Sequence, residues 1–240
     1  MFDLEPGRRF SPKVLYVYEK QLEEAEIIVI NKQDLLPPEK LAALKAALAS
    51  RFPRAEILVA SAREGTGLDE WFTRVLGSES GRDPAPDIDY EEYAEGEALL
   101  GWYNGTASLR TESSVDGNLF LLDLAHTLQQ QLASQGIEIA HLKMTLTPQD
   151  FGSDIAVLNL VRTDGRAELS HLLRDEIAIG QLIVNLRAEG MPDTLHAAAA
   201  RALADVARSR GVTATIEHEE SFSPAKPNPT YRMVTVTASA

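Results

Sequence analysis

Apolar positions along this chain fall into short continuous runs and helical stripes. Ser11 and Pro12 offer an N-cap followed by proline at the first helical position, and Leu15, Tyr18, Leu22 and Ala25 then recur on one face. Residues 26–30 and 56–60 are branched apolar runs that read as strands. Between them Pro37 and Pro38 open a helix through about Ser50, with Leu41, Leu44 and Leu48 aligned. A further helix from about Leu68 to Leu76 carries Trp71, Phe72 and Val75. Nearly continuous apolar strands separated by helices predict a parallel sheet covered on both faces. Two strands do not close such a sheet, so one edge is expected to be open or completed by another segment.

Residues 77–92 are rich in Gly, Pro, Ser and acid and offer almost nothing to bury, which marks a linker between domains at 1–76 and 93–240. Beyond it a strand near 105–112 precedes a helix starting around Asp116, with Leu121, Leu124, Ala125, Leu128 and Leu132 in register and Gly136 as its stop. Residues 139–147 alternate, placing Ala140, Leu142, Met144 and Leu146 on one face and His141, Lys143 and Thr145 on the other. Strands are expected at 154–162 and 181–187, separated by a short helical stretch around 167–176. Pro192 opens a helix containing Leu195, Ala199, Ala202, Leu203 and Val206, stopped by Gly211 and followed by a strand over 212–218. The order β-α-β-β, then β-α-β, points to an α+β unit of the ferredoxin-like, split βαβ kind. From Ser221 onward, with Pro224, Pro227 and Pro229, the chain reads as an extended strap, and residues 231–238 as an added edge strand.

The 240 residues suffice for two modest domains with real cores. No stretch approaches a membrane span, and the N-terminus lacks a basic region followed by an apolar block. Without cysteine, disulfides and thiolate metal sites within these residues are excluded. A cytoplasmic protein with no membrane partner is the expectation. The net charge of −13 argues against nonspecific nucleic-acid binding, which needs a basic footprint.

Candidate chemistry sits where the two apolar runs end. The first leads into Asn31-Lys32-Gln33-Asp34, the Asn-Lys-x-Asp arrangement by which GTP-binding proteins select guanine. An ionised carboxylate at the fourth position can accept parallel hydrogen bonds from N1–H and the N2 amine of guanine, a donor pair that adenine lacks. Lys32 can lay its methylene stem over the purine, and Asn31 can fix the loop through its side-chain amide. Strands often end in polar turns, so a second loop carries weight. Residues 57–60 lead into Ser61-Ala62-Arg63, followed by Gly65 and Gly67. This resembles the Ser-Ala-Lys loop of GTPases, in which the alanine N–H faces guanine O6.

These loops and the segment Tyr93-Ala-Glu-Gly-Glu-Ala-Leu-Leu-Gly-Trp-Tyr-Asn104 together resemble the CobW-type GTPases, relatives of the HypB and UreG metallochaperones. The similarity runs from about residue 10 to at least residue 110. It implies a partial P-loop GTPase-type α/β sheet followed by an α+β C-terminal domain. It also implies GTP as ligand, with Asn31, Lys32 and Asp34 on the base and Ser61, Ala62 and Arg63 closing over it. In the complete family protein it implies magnesium, a transition metal such as zinc or cobalt, and service to a client metalloprotein in metal delivery or cobalamin-type cofactor assembly. The departures are as informative. No Gly-x-x-x-x-Gly-Lys-Ser/Thr occurs in these residues, nor the magnesium-binding Asp of a second strand, nor the cysteine-containing metal motif. In a complete member all three would lie upstream, so the chain is expected to be the distal half of a GTPase domain with its C-terminal domain, unable to hydrolyse GTP by itself. The alternative is a non-catalytic interaction module, acting through its C-terminal sheet or by docking to a separate P-loop half.

Other candidates have plainer explanations. His218-Glu219-Glu220 could ligate a cation but fits a solvated strand end, and His126 and His196 fit packed or surface helix positions. Trp102 and Tyr103 read as core anchors, Asp123 as a charge favourable to its helix dipole, and Asp87 to Glu92 as a solvated acidic run. The face carrying His141, Lys143, Asn159, Asn185 and Arg187 is either hydrated or a partner surface.

Overall fold

A computed structural model describes residues 10–77, 88–149 and 154–225. They divide into two compact units, one holding residues 15–77 and 88–93, the other residues 10–14, 94–149 and 154–225. Most of the expected linker and the strap with its edge strand at 231–238 lie outside the described residues.

In the first unit, helix α1 (Pro12–Glu23) enters from the second unit and leads to strand β1 (Ile27–Ile30), helix α2 (Pro38–Arg51), strand β2 (Glu56–Val59) and helix α3 (Leu68–Gly77). The two strands pair in parallel, Ile27 opposite Glu56 through Ile30 opposite Val59. Ile28, Ile30, Leu48 and Phe52 form the buried cluster, with Leu41 and Leu44 of α2 packed against it. The expected double cover is only partial. Burial alternates along β1, so Ile27 and Val29 remain half-buried, as do Ile57 and Val59 on β2. Helix α3 buries none of its residues fully, and Phe72, Val75 and Leu76 are exposed. The most buried positions of α1 are Val14 and Val17 rather than Leu15 and Tyr18. Two apolar stripes overlap in that helix, and spacing alone does not choose between them.

The second unit is built on a six-stranded antiparallel sheet. Its elements are helix α4 (Tyr90–Ala98, shared with the first unit), β3 (Leu100–Val115), α5 (Gly117–Ser134), β4 (Glu138–Pro148), β5 (Ala156–Leu160), β6 (Glu168–His171), β7 (Ile177–Glu189), α6 (Pro192–Ser209) and β8 (Thr213–Phe222). The strand order is β6-β5-β4-β7-β3-β8, which leaves β3 and β4 parallel on either side of β7 and β7 and β8 parallel on either side of β3. Phe120, Leu124 and Leu128 of α5 and Leu195, Ala202 and Val206 of α6 pack on one sheet face against Leu142, Met144, Leu182 and Leu186.

Helix ends follow the sequence signals. The Asp116 carboxylate accepts from Asn118 N at 2.8 Å and Leu119 N at 3.0 Å, capping α5. Gly136 and Gly211 adopt the left-handed conformation just past α5 and α6, and Ile137 N and Val212 N reach back to Leu132 O and Ala207 O at 3.0 and 2.8 Å.

Four expectations need correction. The stretch 167–176 holds no helix, because Glu168–His171 pairs with β5 as an edge strand and strand pairing overrides the weak local preference. The following turn is fixed to α5 by a reciprocal pair, Asn118 Nδ2 donating to Leu173 O and Leu173 N donating to Asn118 Oδ1, both at 2.9 Å. In β4 the register shifts between Ile139 and His141, so Ile139 takes the core position expected of Ala140. Asp123 lies beyond the first turn of α5, where the dipole has faded, and accepts instead from Arg210 at the end of α6, Nε at 2.7 Å and Nη2 at 2.5 Å. Finally, β3, β7 and β8 are all longer than expected, so Trp102 belongs to a strand and Ser221 lies within one that ends at Phe222 rather than starting a strap.

Candidate functional site

The carboxyl ends of β1 and β2 place their following loops side by side. Ala60 N donates to Ile30 O at 2.9 Å and Gln33 N to Ala60 O at 3.2 Å, carrying the parallel pairing one step past each strand. Lys32 then turns with φ 60° and ψ 36°, a left-handed conformation uncommon for a residue with a side chain, and a short 3-10 turn over Gln33–Leu35 brings Asp34 round. On the other side Ser61 N donates to Thr66 O at 2.9 Å, closing the second loop, with Gly65 and Gly67 both at positive φ.

Side chains knit the two loops together. Asp34 Oδ1 accepts from the Ser61 hydroxyl at 2.5 Å, and Ser61 is fully buried while Asp34 stays exposed. Ser61 Oγ also accepts from Glu64 N at 3.2 Å. Asn31 Oδ1 accepts from Lys32 N at 2.8 Å and from Ala62 N at 3.1 Å. A link that sequence reasoning missed joins Gln33 Nε2 to Thr66 Oγ1 at 3.0 Å. The only signal for it was an amide beside Asp34 and a hydroxyl between two glycines.

The Asp34 carboxyl is held below its ordinary value of 3.8, chiefly by the hydrogen bond from Ser61. Desolvation opposes this in part, while its own backbone N–H and the charges of Arg63 and Lys32 add to it. The carboxylate therefore stays ionised throughout the physiological range. Asp34 is exposed, and a carboxylate with about four acceptor sites keeps capacity for further donors beside Ser61 and its own backbone N–H. Lys32, Ala62 and Arg63 are exposed around it.

One expectation changes. The Ala62 N–H, expected on the purine O6, is donated to Asn31 Oδ1, so a base oxygen would share that donor or displace the asparagine.

The other candidates do not assemble a site. His218 and Glu220 lie opposite Thr106 and Asn104, whereas Glu219 pairs with Gly105 and reaches His196 Nε2 at 2.8 Å and Tyr103 Oη at 3.5 Å. Alternation thus sends Glu219 to the helical face, away from its two neighbours. The buried Tyr103 hydroxyl is pushed up to about 12 by desolvation and by Glu219. His126 is surface-exposed on α5, within 2.8 Å of Gln130 Nε2. Among the described residues no group of three or more His, Cys, Asp or Glu could hold a metal ion, and no helix is long and apolar enough to cross a membrane. The transition metal implied by the resemblance therefore finds no fitting donor set among them.

No family model matches the chain, and no curated protein is similar to it. Among solved structures, the Zn(II)-bound YjiA GTPase from E. coli overlays on 78% of this chain at 16% identity with a TM-score of 0.27. A Zn(II)-bound triple mutant of YjiA GTPase overlays on 76%, also at 16% identity and a TM-score of 0.27. The chain spans 58% and 54% of the lengths of those two chains.

Proposed function

We propose that the paired loops at 31–34 and 61–67 bind the base of a guanine nucleotide. The observation that carries this reading is the hydrogen bond from Ser61 to Asp34, which orients the exposed carboxylate while leaving it acceptor capacity for two parallel guanine donors. Lys32, fixed in its unusual backbone conformation, offers an alkyl stem to cover the ring, and Asn31 holds the two loops in register. Selection follows from what adenine cannot supply: its N1 is an acceptor, which an ionised carboxylate repels.

In the finer reading this base site belongs to a CobW-type GTPase, with magnesium on the phosphates and a role in metal delivery or metallocofactor assembly, joined to a ferredoxin-like second domain. That reading is supported by the three sequence segments and, for the domain, by the order β4-β7-β3-β8. The sequence holds no Gly-x-x-x-x-Gly-Lys-Ser/Thr phosphate cradle, and among the described residues no group of three or more candidate metal ligands gathers, so no step of hydrolysis or metal transfer is assigned here. Binding by the base alone is weak.

Titration with fluorescent GTP and ATP tests the proposal. GTP is expected to bind more tightly than ATP, and Asp34→Ala to reduce GTP affinity roughly tenfold or more, the loss expected for hydrogen bonds to a charged group, while ATP is unaffected. Equal affinities for the two nucleotides in the unsubstituted chain would refute guanine recognition. The pH profile provides a second check. Because the carboxyl is lowered, its ionised form persists as pH falls, so GTP affinity should stay level through the ordinary carboxylate value of 3.8 and decline only below it. A midpoint near neutrality would point to a group other than Asp34.

A further inference from the structure

The hydrogen bonds between the two loops of the base site reach two different limbs of the second loop. Gln33 N donates to Ala60 O, Ala62 N to Asn31 Oδ1 and the Ser61 hydroxyl to Asp34, so these links end on residues 60–62, the near limb. The Gln33 amide reaches across to the far limb, where Nε2 donates to Thr66 Oγ1 at 3.0 Å. Thr66 stands between Gly65 and Gly67, both at positive φ, and glycine has more backbone freedom to lose than any other residue. Two bonds restrain Thr66 there: its carbonyl accepts from Ser61 N at 2.9 Å, and its hydroxyl accepts from Gln33. Lys32, in its left-handed conformation, turns the backbone just ahead of Gln33, and Gln33 N is itself held by Ala60 O at 3.2 Å. The links close on themselves. From Gln33 they run through the Thr66 hydroxyl to the Thr66 carbonyl, through Ser61 N to the Ser61 hydroxyl, and on to Asp34 at 2.5 Å. The peptide bond between Asp34 and Gln33 completes the ring.

We propose that Gln33 is a positioning residue for guanine selection, acting through Thr66 and Ser61 on the angle of the Asp34 carboxylate, which rests on the reading of these loops as a guanine site. Asp34 is exposed, so its side chain is oriented by hydrogen bonds rather than by packing, and the bond from Ser61 is the chief of these. Parallel donors at N1 and N2 are accepted together only over a narrow range of carboxylate angles, whereas a single donor tolerates a wide one. Opening the ring at Gln33 frees Thr66 between its glycines, loosens the carbonyl that orients Ser61 and lets the carboxylate turn. A turned carboxylate keeps one donor and loses the other. The loss therefore appears as a weaker response to the N2 amine, without Gln33 or Thr66 touching the nucleotide. Hypoxanthine reports this directly, because it keeps the N1–H and O6 of guanine and lacks the N2 amine.

Equilibrium titrations of the full chain with ribose-labelled GTP, ITP and ATP test this role. Gln33→Met removes the amide at nearly constant length and should lower the preference for GTP over ITP roughly threefold, the scale of one net hydrogen bond. Thr66→Val should do the same, Thr66→Ser should keep the parent ratio, and the two losses should not add in the double variant. Melting of the first unit should move little, since Thr66 is exposed and Gln33 half-buried. A purely structural link would weaken GTP and ITP alike and leave their ratio unchanged. Such an unchanged ratio in Gln33→Met, a Thr66→Ser variant as poor as Thr66→Val, additive losses, or equal parent affinities for GTP and ITP would each overturn the positioning role while a GTP preference over ATP stood. Equal affinity of the unsubstituted chain for GTP and ATP would overturn it together with the base site.

Discussion

Gly67→Ala is expected to unfold the paired loops of the first unit, with a loss of about 3 kcal/mol or more in thermal denaturation, a size reserved for backbone strain and overpacking. Two causes add. Gly67 has φ 74°, a conformation costing roughly 1–2 kcal/mol for a residue with a Cβ. The added methyl would also stand 2.2 Å from Val59 O and 3.1 Å from Ala60 Cα, and these are backbone atoms of β2 and its extension that cannot rotate aside. Gly65→Ala is the matched control. Its φ is 73°, yet nothing lies within 4 Å of the new Cβ, so only the conformational cost of roughly 1–2 kcal/mol applies. If the two substitutions cost the same, the close approach of the second loop to β2 is not a feature of the folded protein. Loss of that approach in Gly67→Ala should also weaken the proposed guanine binding, because the loop closed by the Ser61–Thr66 pairing carries the Ser61 hydroxyl that bonds Asp34.

Phe120→Ala should lower the melting transition of the second unit by about 10 °C or more. Phe120 is fully buried on α5, and deleting such a ring costs about 3–5 kcal/mol in transfer and cavity terms. Leu119, the preceding residue, is 45% exposed, so Leu119→Ala should move the transition by about 0.5 kcal/mol or less. A comparable effect at the two positions would mean that α5 does not present the face described.

Periodicity carried most of the second unit's helices, because long amphipathic stripes with a capping Asp116 and terminal glycines at 136 and 211 leave little choice. It failed at 167–176, where four residues become a strand only because β5 lies alongside. It also placed Ala140 in the core, since a register shift leaves no trace in an alternating pattern. Asp123 shows a third kind of limit. Its partner Arg210 stands at the end of another helix, a relation that no local signal encodes. In the candidate site, the residue types and strand-end positions were legible from chemistry. The engagement of Ala62 N by Asn31, and the Gln33–Thr66 link, depend on how two loops meet in space.

The strand order of the second unit sets a timetable for synthesis. Strand β3 is made first, yet both strands that pair with it, β7 and β8, come from the far end of the sequence, and β4 joins it only through β7. At ~5–20 residues per second, the stretch from Val115 to Glu189 takes roughly 4–15 s to emerge. Throughout that interval Tyr103, Ala107 and Leu109 belong to a strand without a hydrogen-bonding neighbour. Nascent chains ending before β7 therefore carry a bare apolar strand, and this is the window in which a ribosome-associated chaperone has a substrate here.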